Sequence, residues 1–164
     1  MSKKIYILAI SIFIIDQLSK SIISTYLKLN QSIEVIKDFF YLRYINNTGA
    51  SWGILSNSRI LLIILSLIAI IILIRYMYSF KETKLNYIGF GFLLGGILGN
   101  LSDRLLHGYV KDFLDFIILN YDFPVFNLAD IFIVFGVTVL IISIIRGEDS
   151  NGSKSSRRKK RKNR

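Results

Sequence analysis

Carboxylates set into apolar sequence are the most reactive groups in this chain. Asp103 lies near the end of a glycine-rich apolar stretch, about Ile88 to Leu106, and Asp130 near the start of another, about Phe126 to Ile145. Each follows an asparagine by three residues, Asn100 and Asn127, and Asp112, Asp115 and Asp122 lie between the two stretches. Like charges sharing a site cannot both ionise, so one carboxyl is pushed to a high pKa and the pair holds one proton between them. The ionised partner can take a proton from a water that attacks a peptide carbonyl, while the protonated partner donates to the developing oxyanion. Such a pair titrates as a unit, so acid and base are not separately assigned. That is the chemistry of an aspartic protease. The bland alternative is that each Asp is a satisfied polar group paired with Arg104 or an Asn, and spacing alone leaves both open.

Rival chemistries lack parts. The chain has no Cys, which excludes disulfides, thiolate metal sites and a Cys nucleophile. His107 is the single His, so a multi-His metal site is excluded and no metal or other cofactor is expected. No Gly-x-Ser-x-Gly elbow or phosphate-binding glycine loop is present. A Ser–Lys pair would need Lys20, four residues after Asp16 and on the same helical face. Ionisable residues inside an apolar span need a partner or a function. Asp16 and Lys20 read first as a structural ion pair, able also to hold an adjacent helix.

The elements that must carry these residues are membrane helices. The 164 residues are 52% hydrophobic and 20% charged, an excess of apolar content over that of a soluble domain. Four stretches, about 5–27, 60–77, 88–106 and 126–145, are long enough to cross about 30 Å of hydrocarbon. Backbone groups cannot stay unpaired in lipid, so these stretches are helices. The first has a basic start like a signal peptide, but no small-x-small cleavage site follows it and Asp16 to Lys20 interrupts it, so it is read as retained.

Lys and Arg set the expected orientation. Lys3, Lys4, Arg75, Lys81, Lys84 and the eight basic residues of the tail lie on one side, against Lys28, Lys37, Arg43, Arg59 and Lys111 on the other. Both termini should therefore be cytoplasmic, with the polar cluster near the outer leaflet. The net charge of +10 comes mostly from that tail. Residues 1–146 form the expected membrane domain, and 147–164 a disordered basic cytoplasmic tail held to anionic headgroups rather than to nucleic acid. The first outer loop, with β-branched and aromatic residues from Ser32 to Ile45, should form a small β-rich platform on the outer surface. Residues 107–125 read as a connecting loop, with Asp115 and Asp122 ordinary loop carboxylates. On the third span, Gly96, Gly99, Asn100 and Asp103 fall within an arc of about 100°, with Gly91, Gly95 and Gly99 as a small-residue ridge leading to it, and this face is expected to pack on the fourth span. Gly108 should end the third span. Asp103 then lies level with Asp130, so depth alone pairs those two.

Five motifs in order give the chain a resemblance to the bacterial lipoprotein signal peptidase family, signal peptidase II. They are Asp16-Gln17-x-x-Lys20, Asn47-x-Gly49-Ala50-x-Trp52-Gly53, Gly99-Asn100-x-x-Asp103-Arg104, Val110-x-Asp112-Phe113 and Phe126-Asn127-x-Ala129-Asp130. The match runs to about Arg146, with Lys111 and Ile131 as small departures. The resemblance implies a metal-independent aspartic endopeptidase of the cytoplasmic membrane, cutting prolipoproteins just before a diacylglyceryl-modified Cys. It also implies inhibition by globomycin-type cyclic peptides. It maps the catalytic pair to Asp112 and Asp130, against the depth argument. Asn47, Gly49, Asn100, Arg104 and Asn127 would then orient substrate or dyad, with Asp103 locking Arg104 and Asp16 and Lys20 in support. A monomer is the default expectation. The competing class is a small non-enzymatic membrane transporter or binding protein, for which polar residues would spread through the membrane depth rather than gather at one interface.

Overall fold

The structure, a computed structural model, describes residues 3–49 and 54–148. Ala50, Trp52 and Gly53 of the second motif and nearly all of the basic tail lie outside the described residues. Among those described, four helices are long and apolar enough to span a membrane: α1 (Lys3–Tyr26), α2 (Arg59–Ser79), α3 (Lys84–Leu106) and α4 (Leu128–Ile145). All four expected spans are present, with ends shifted by up to four residues. In α2 the mean hydropathy reaches 2.9, and isoleucines such as Ile60 and Ile71 face outward, as a lipid-facing surface requires.

Helix α3 is the centre of the bundle. More than half of its apolar window is buried (56%), against 17 to 22% in the other three helices. Its glycines explain why. Gly91 and Gly95 leave no room for a Cβ beside Leu8, Ile12 and the Ala9 carbonyl of α1. Gly89 and Gly96 do the same beside Leu140 and Ala129 of α4. Of the face expected to meet α4, Gly96 does so and Gly99 touches both Ala129 of α4 and Asp16 of α1, while Gly91 and Gly95 of the ridge leading to it meet α1 instead. Two helices close on neighbouring faces of α3 because glycine lets both backbones approach. Ile5, Ala9, Leu73, Met77, Phe90 and Leu94 fill the core away from the polar cluster.

The β-rich platform is present, but two loops build it rather than one. Strands β1 (Ser32–Ile36) and β2 (Phe40–Asn47) form the expected hairpin. The segment read as a connecting loop contributes β3 (Val110–Ile118) and β4 (Tyr121–Asp122), giving an antiparallel order β1-β2-β3-β4. Asp115 and Asp122 are thus strand residues, and Asp115 is buried beside Arg43 at 3.7 Å. The reason is non-local: β3 has its hydrogen-bonding partner some seventy residues earlier, with Phe40 opposite Phe116 and Ile45 opposite Asp112. Phe116 stacks between Phe40 and Phe126 at 4.6 and 5.7 Å, tying the sheet to the entry of α4.

Candidate active site

Three elements bring the candidate residues together. Helix α3 caps at His107, and Gly108 at φ +86° turns the chain back, a conformation that favours glycine. Four residues later β3 carries Asp112 inward, where it is 1% exposed. At the head of α4, Asn127 is the N-cap: its side chain accepts from Asp130 N at 3.1 Å, and Asp130 Oδ2 accepts from Asn127 N at 3.1 Å. This reciprocal capping box satisfies two orphan donors of the helix and holds the Asp130 carboxyl at its mouth.

Both carboxyl groups are gripped by amides. Asp112 Oδ1 accepts from Asn127 Nδ2 at 2.6 Å and Oδ2 accepts from Asn47 Nδ2 at 2.8 Å. Asp130 Oδ1 accepts from Asn100 Nδ2 at 2.8 Å. Asn127 therefore touches both Asp112 and Asp130. The two aspartates line one cleft of about 800 Å³, whose other wall is apolar, with Phe123, Pro124, Ile131, Val134 and Phe135. Burial, and next the charge of Asp130, push the Asp112 carboxyl up to about 7, against the opposing pull of Asn47, Asn127 and Lys20. A carboxyl that exchanges its proton near neutrality, facing a second carboxyl in an apolar cleft, can serve general acid or base chemistry.

Asp103 stands elsewhere. Its Oδ2 meets Lys20 Nζ at 3.1 Å and Lys111 N at 3.1 Å, and its Oδ1 accepts from Gln17 Nε2 at 3.3 Å. It does not lock Arg104, as expected from the sequence. Arg104 instead donates to the carbonyls of Gly49 at 3.1 Å and Asn100 at 3.4 Å. The reason is helical phase: consecutive residues point about 100° apart, so Asp103 faces α1 while Arg104 faces the cleft. Arg104 and Asn47 together fix the start of the segment after β2, since Gly49 N also donates to Asn47 Oδ1 at 2.9 Å.

The Asp16–Lys20 pair is present at 2.8 Å, and both side chains are almost fully buried. It is more than a pair within one helix. Lys20 also reaches Asp103 and Asn100, while Asp16 Oδ1 accepts from Ala129 N at 3.0 Å. Gln17, given no role from the sequence, donates to Asp16, Asp103 and the Gly99 carbonyl. Its signal was available: a third polar residue beside Asp16 inside an apolar span.

The chain resembles known proteins along most of its length. Residues 8–146 match the family described as signal peptidase (SPase) II. The lipoprotein signal peptidase of Moorella thermoacetica is 47% identical over 135 residues, covering 82% of this chain and 87% of its own. That of Halothermothrix orenii is 39% identical over 144 residues, covering 88% and 97%. Two solved structures, each described as a bacterial membrane enzyme, superpose with TM-scores of 0.78 and 0.75 at 36% and 37% identity. They cover 87% and 85% of this chain, and 87% and 91% of their own.

Proposed function

The chain belongs to the signal peptidase II family, and from that premise we propose that it is an aspartic endopeptidase working through Asp112 and Asp130. Its substrates are diacylglyceryl-modified prolipoproteins, cut just before the lipidated Cys. The observation that carries this reading is the single cleft lined by both aspartates on one side and by apolar residues of α4 on the other. A lipidated peptide has those two halves, a polar scissile bond and an apolar anchor.

The dyad holds one proton. The ionised carboxylate takes a proton from water as its oxygen bonds to the scissile carbonyl carbon, and the protonated carboxyl donates to the oxygen on which charge develops. Collapse of the tetrahedral intermediate breaks the C–N bond, and the amine leaves with a proton returned from the dyad. Asn47, Asn100 and Asn127 hold the two carboxyls in register for this exchange. Preorganised donors of this kind act strongly in a water-poor site.

The distribution of Lys and Arg supports a chain in the cytoplasmic membrane with both termini inside and the cleft at the outer leaflet. Scission there leaves the diacylglyceryl group in lipid throughout. The platform and the basic tail are read as membrane-surface contacts, globomycin-type cyclic peptides as occupants of the cleft, and the working unit as a monomer.

The test is cleavage of a diacylglyceryl-modified prolipoprotein by purified protein, with Asp103→Asn, Asp112→Asn and Asp130→Asn in parallel at matched levels of folded protein. The expected result is no cleavage by the Asp112 and Asp130 variants and a weakened Asp103 variant. Full activity in Asp112→Asn with a dead but folded Asp103→Asn would overturn the assignment.

A further inference from the structure

We propose that Lys20 is a positioning residue for the dyad: its ammonium fixes which way the Asn100 carboxamide points, and so supplies the hydrogen bond that holds Asp130. This rests on the dyad reading above and deepens it.

Lys20 is 1% exposed, and its three N–H donors have three acceptors. They are Asp16 Oδ2 at 2.8 Å, Asp103 Oδ2 at 3.1 Å and Asn100 Oδ1 at 2.9 Å. One carboxylate would suffice for charge; the third contact goes to a neutral amide, and that amide touches the dyad. A carboxamide has an accepting end and a donating end. The oxygen of Asn100 accepts from both Lys20 Nζ and Asn127 Nδ2, the latter at 3.1 Å. Its nitrogen is thereby turned to Asp130 Oδ1 at 2.8 Å. Reversed, the amide would set its N–H₂ against an ammonium and a second N–H₂, and its oxygen against a carboxylate.

Asn127 favours the same orientation of Asn100 with a neutral donor, and Lys20 adds the charged one. The Asn127 oxygen accepts from Asp130 N, and its nitrogen is shared between Asn100 and Asp112 Oδ1 at 2.6 Å. The line of contacts from the ammonium to the dyad runs through Asn100 to Asp130. Lys20 sits behind the amide and does not line the cleft, so it acts through Asn100 rather than on substrate.

The charged groups around this line are Asp16 of α1, Asp103 and Arg104 of α3, Lys111 and Asp112 of β3, and Asp130 of α4; β2 contributes the neutral Asn47. Lys20→Met alone leaves Asp16 and Asp103 buried without a cation and can fail to fold. The double variant Lys20→Met/Asp103→Asn removes one charge of each sign and leaves Asp16 its contacts with Ala129 N and Gln17.

The experiment measures kcat, KM and the pH profile of prolipoprotein cleavage per folded molecule for both Lys20 variants, for Asp103→Asn alone, and for Asp112→Asn and Asp130→Asn. In the double variant the expected result is a kcat lower by about tenfold to a hundredfold with KM within about twofold. Its alkaline limb moves up by about one pH unit, because the ionised dyad loses a donor. Asp103→Asn alone keeps the wild-type limb. A double variant that folds with the wild-type limb and kcat makes Lys20 a structural ion-pair partner only and overturns the proposal. Cleavage by Asp112→Asn or Asp130→Asn would instead overturn the dyad reading itself.

Discussion

Replacing Asp112 by Asn should abolish cleavage and also remove a pH dependence of stability that the wild type carries. The carboxyl is 1% exposed, and burial, followed by the charge of Asp130, raises it from 3.8 to about 7. Between those two values the folded protein binds a proton that the unfolded chain does not. Its contribution to stability is therefore complete below about pH 4 and is lost as pH rises through 7. At about 1.4 kcal/mol per pH unit the whole window is worth about 4 kcal/mol, of which about 2–3 kcal/mol is lost between pH 5 and pH 8.

An Asn at 112 does not titrate there. It has its own cost, because its N–H₂ must face one of two donors that cannot turn away: Asn47 is held by Gly49 N and Asn127 by Asp130 N. That cost is about 1–3 kcal/mol and independent of pH. Equilibrium unfolding of both proteins in the same micelles at pH 5, 6, 7 and 8 isolates the difference. The variant should be the less stable at pH 5 and should gain about 2–3 kcal/mol on the wild type by pH 8. A difference that stays constant to within about 0.5 kcal/mol across the series would refute the account of Asp112 as a carboxyl protonated by burial.

Three further outcomes follow from the same geometry. Asn47→Ala removes a 2.8 Å donor to the ionised form of Asp112, so the alkaline limb of kcat/KM should move up by about one pH unit, read from initial rates between pH 5 and 9. Gly99→Ala drives a methyl into Asp16 Oδ2, with Asp16 Cγ at 3.0 Å, and should part α1 from α3; thermal unfolding should report a loss of about 1–3 kcal/mol together with reduced activity. At the far end of the bundle, Asn86 donates to the carbonyls of Lys81 and Glu148 at 2.9 and 2.8 Å and accepts from Ser143 at 2.5 Å. Asn86→Leu should cost about 2–4 kcal/mol in unfolding while leaving kcat unchanged, since none of those bonds reaches the cleft.

The sequence by itself determined the four spans, because crossing lipid demands a long local run of apolar residues and helical pairing within each run. It also marked the polar residues that gather in the bundle: Asn100, Asp103, Asn127 and Asp130 stand out against apolar neighbours, and the Asp16–Lys20 pair follows from helical spacing within one element. The capping box at Asn127 and Asp130 is likewise local, and so is the end of α3 at Gly108.

Only the tertiary structure decided which carboxylates share a cleft. Depth along two helices pairs Asp103 with Asp130, yet Asp103 turns to α1 and Asp112 takes the place beside Asp130. That placement depends on β3 pairing with β2 across some seventy residues, a register no local pattern contains. The glycine ridge shows the same limit. Periodicity marks Gly91, Gly95 and Gly99 as one face of α3, but which helix meets each of them depends on how all four pack: Gly91 and Gly95 meet α1, and Gly99 meets both α1 and α4.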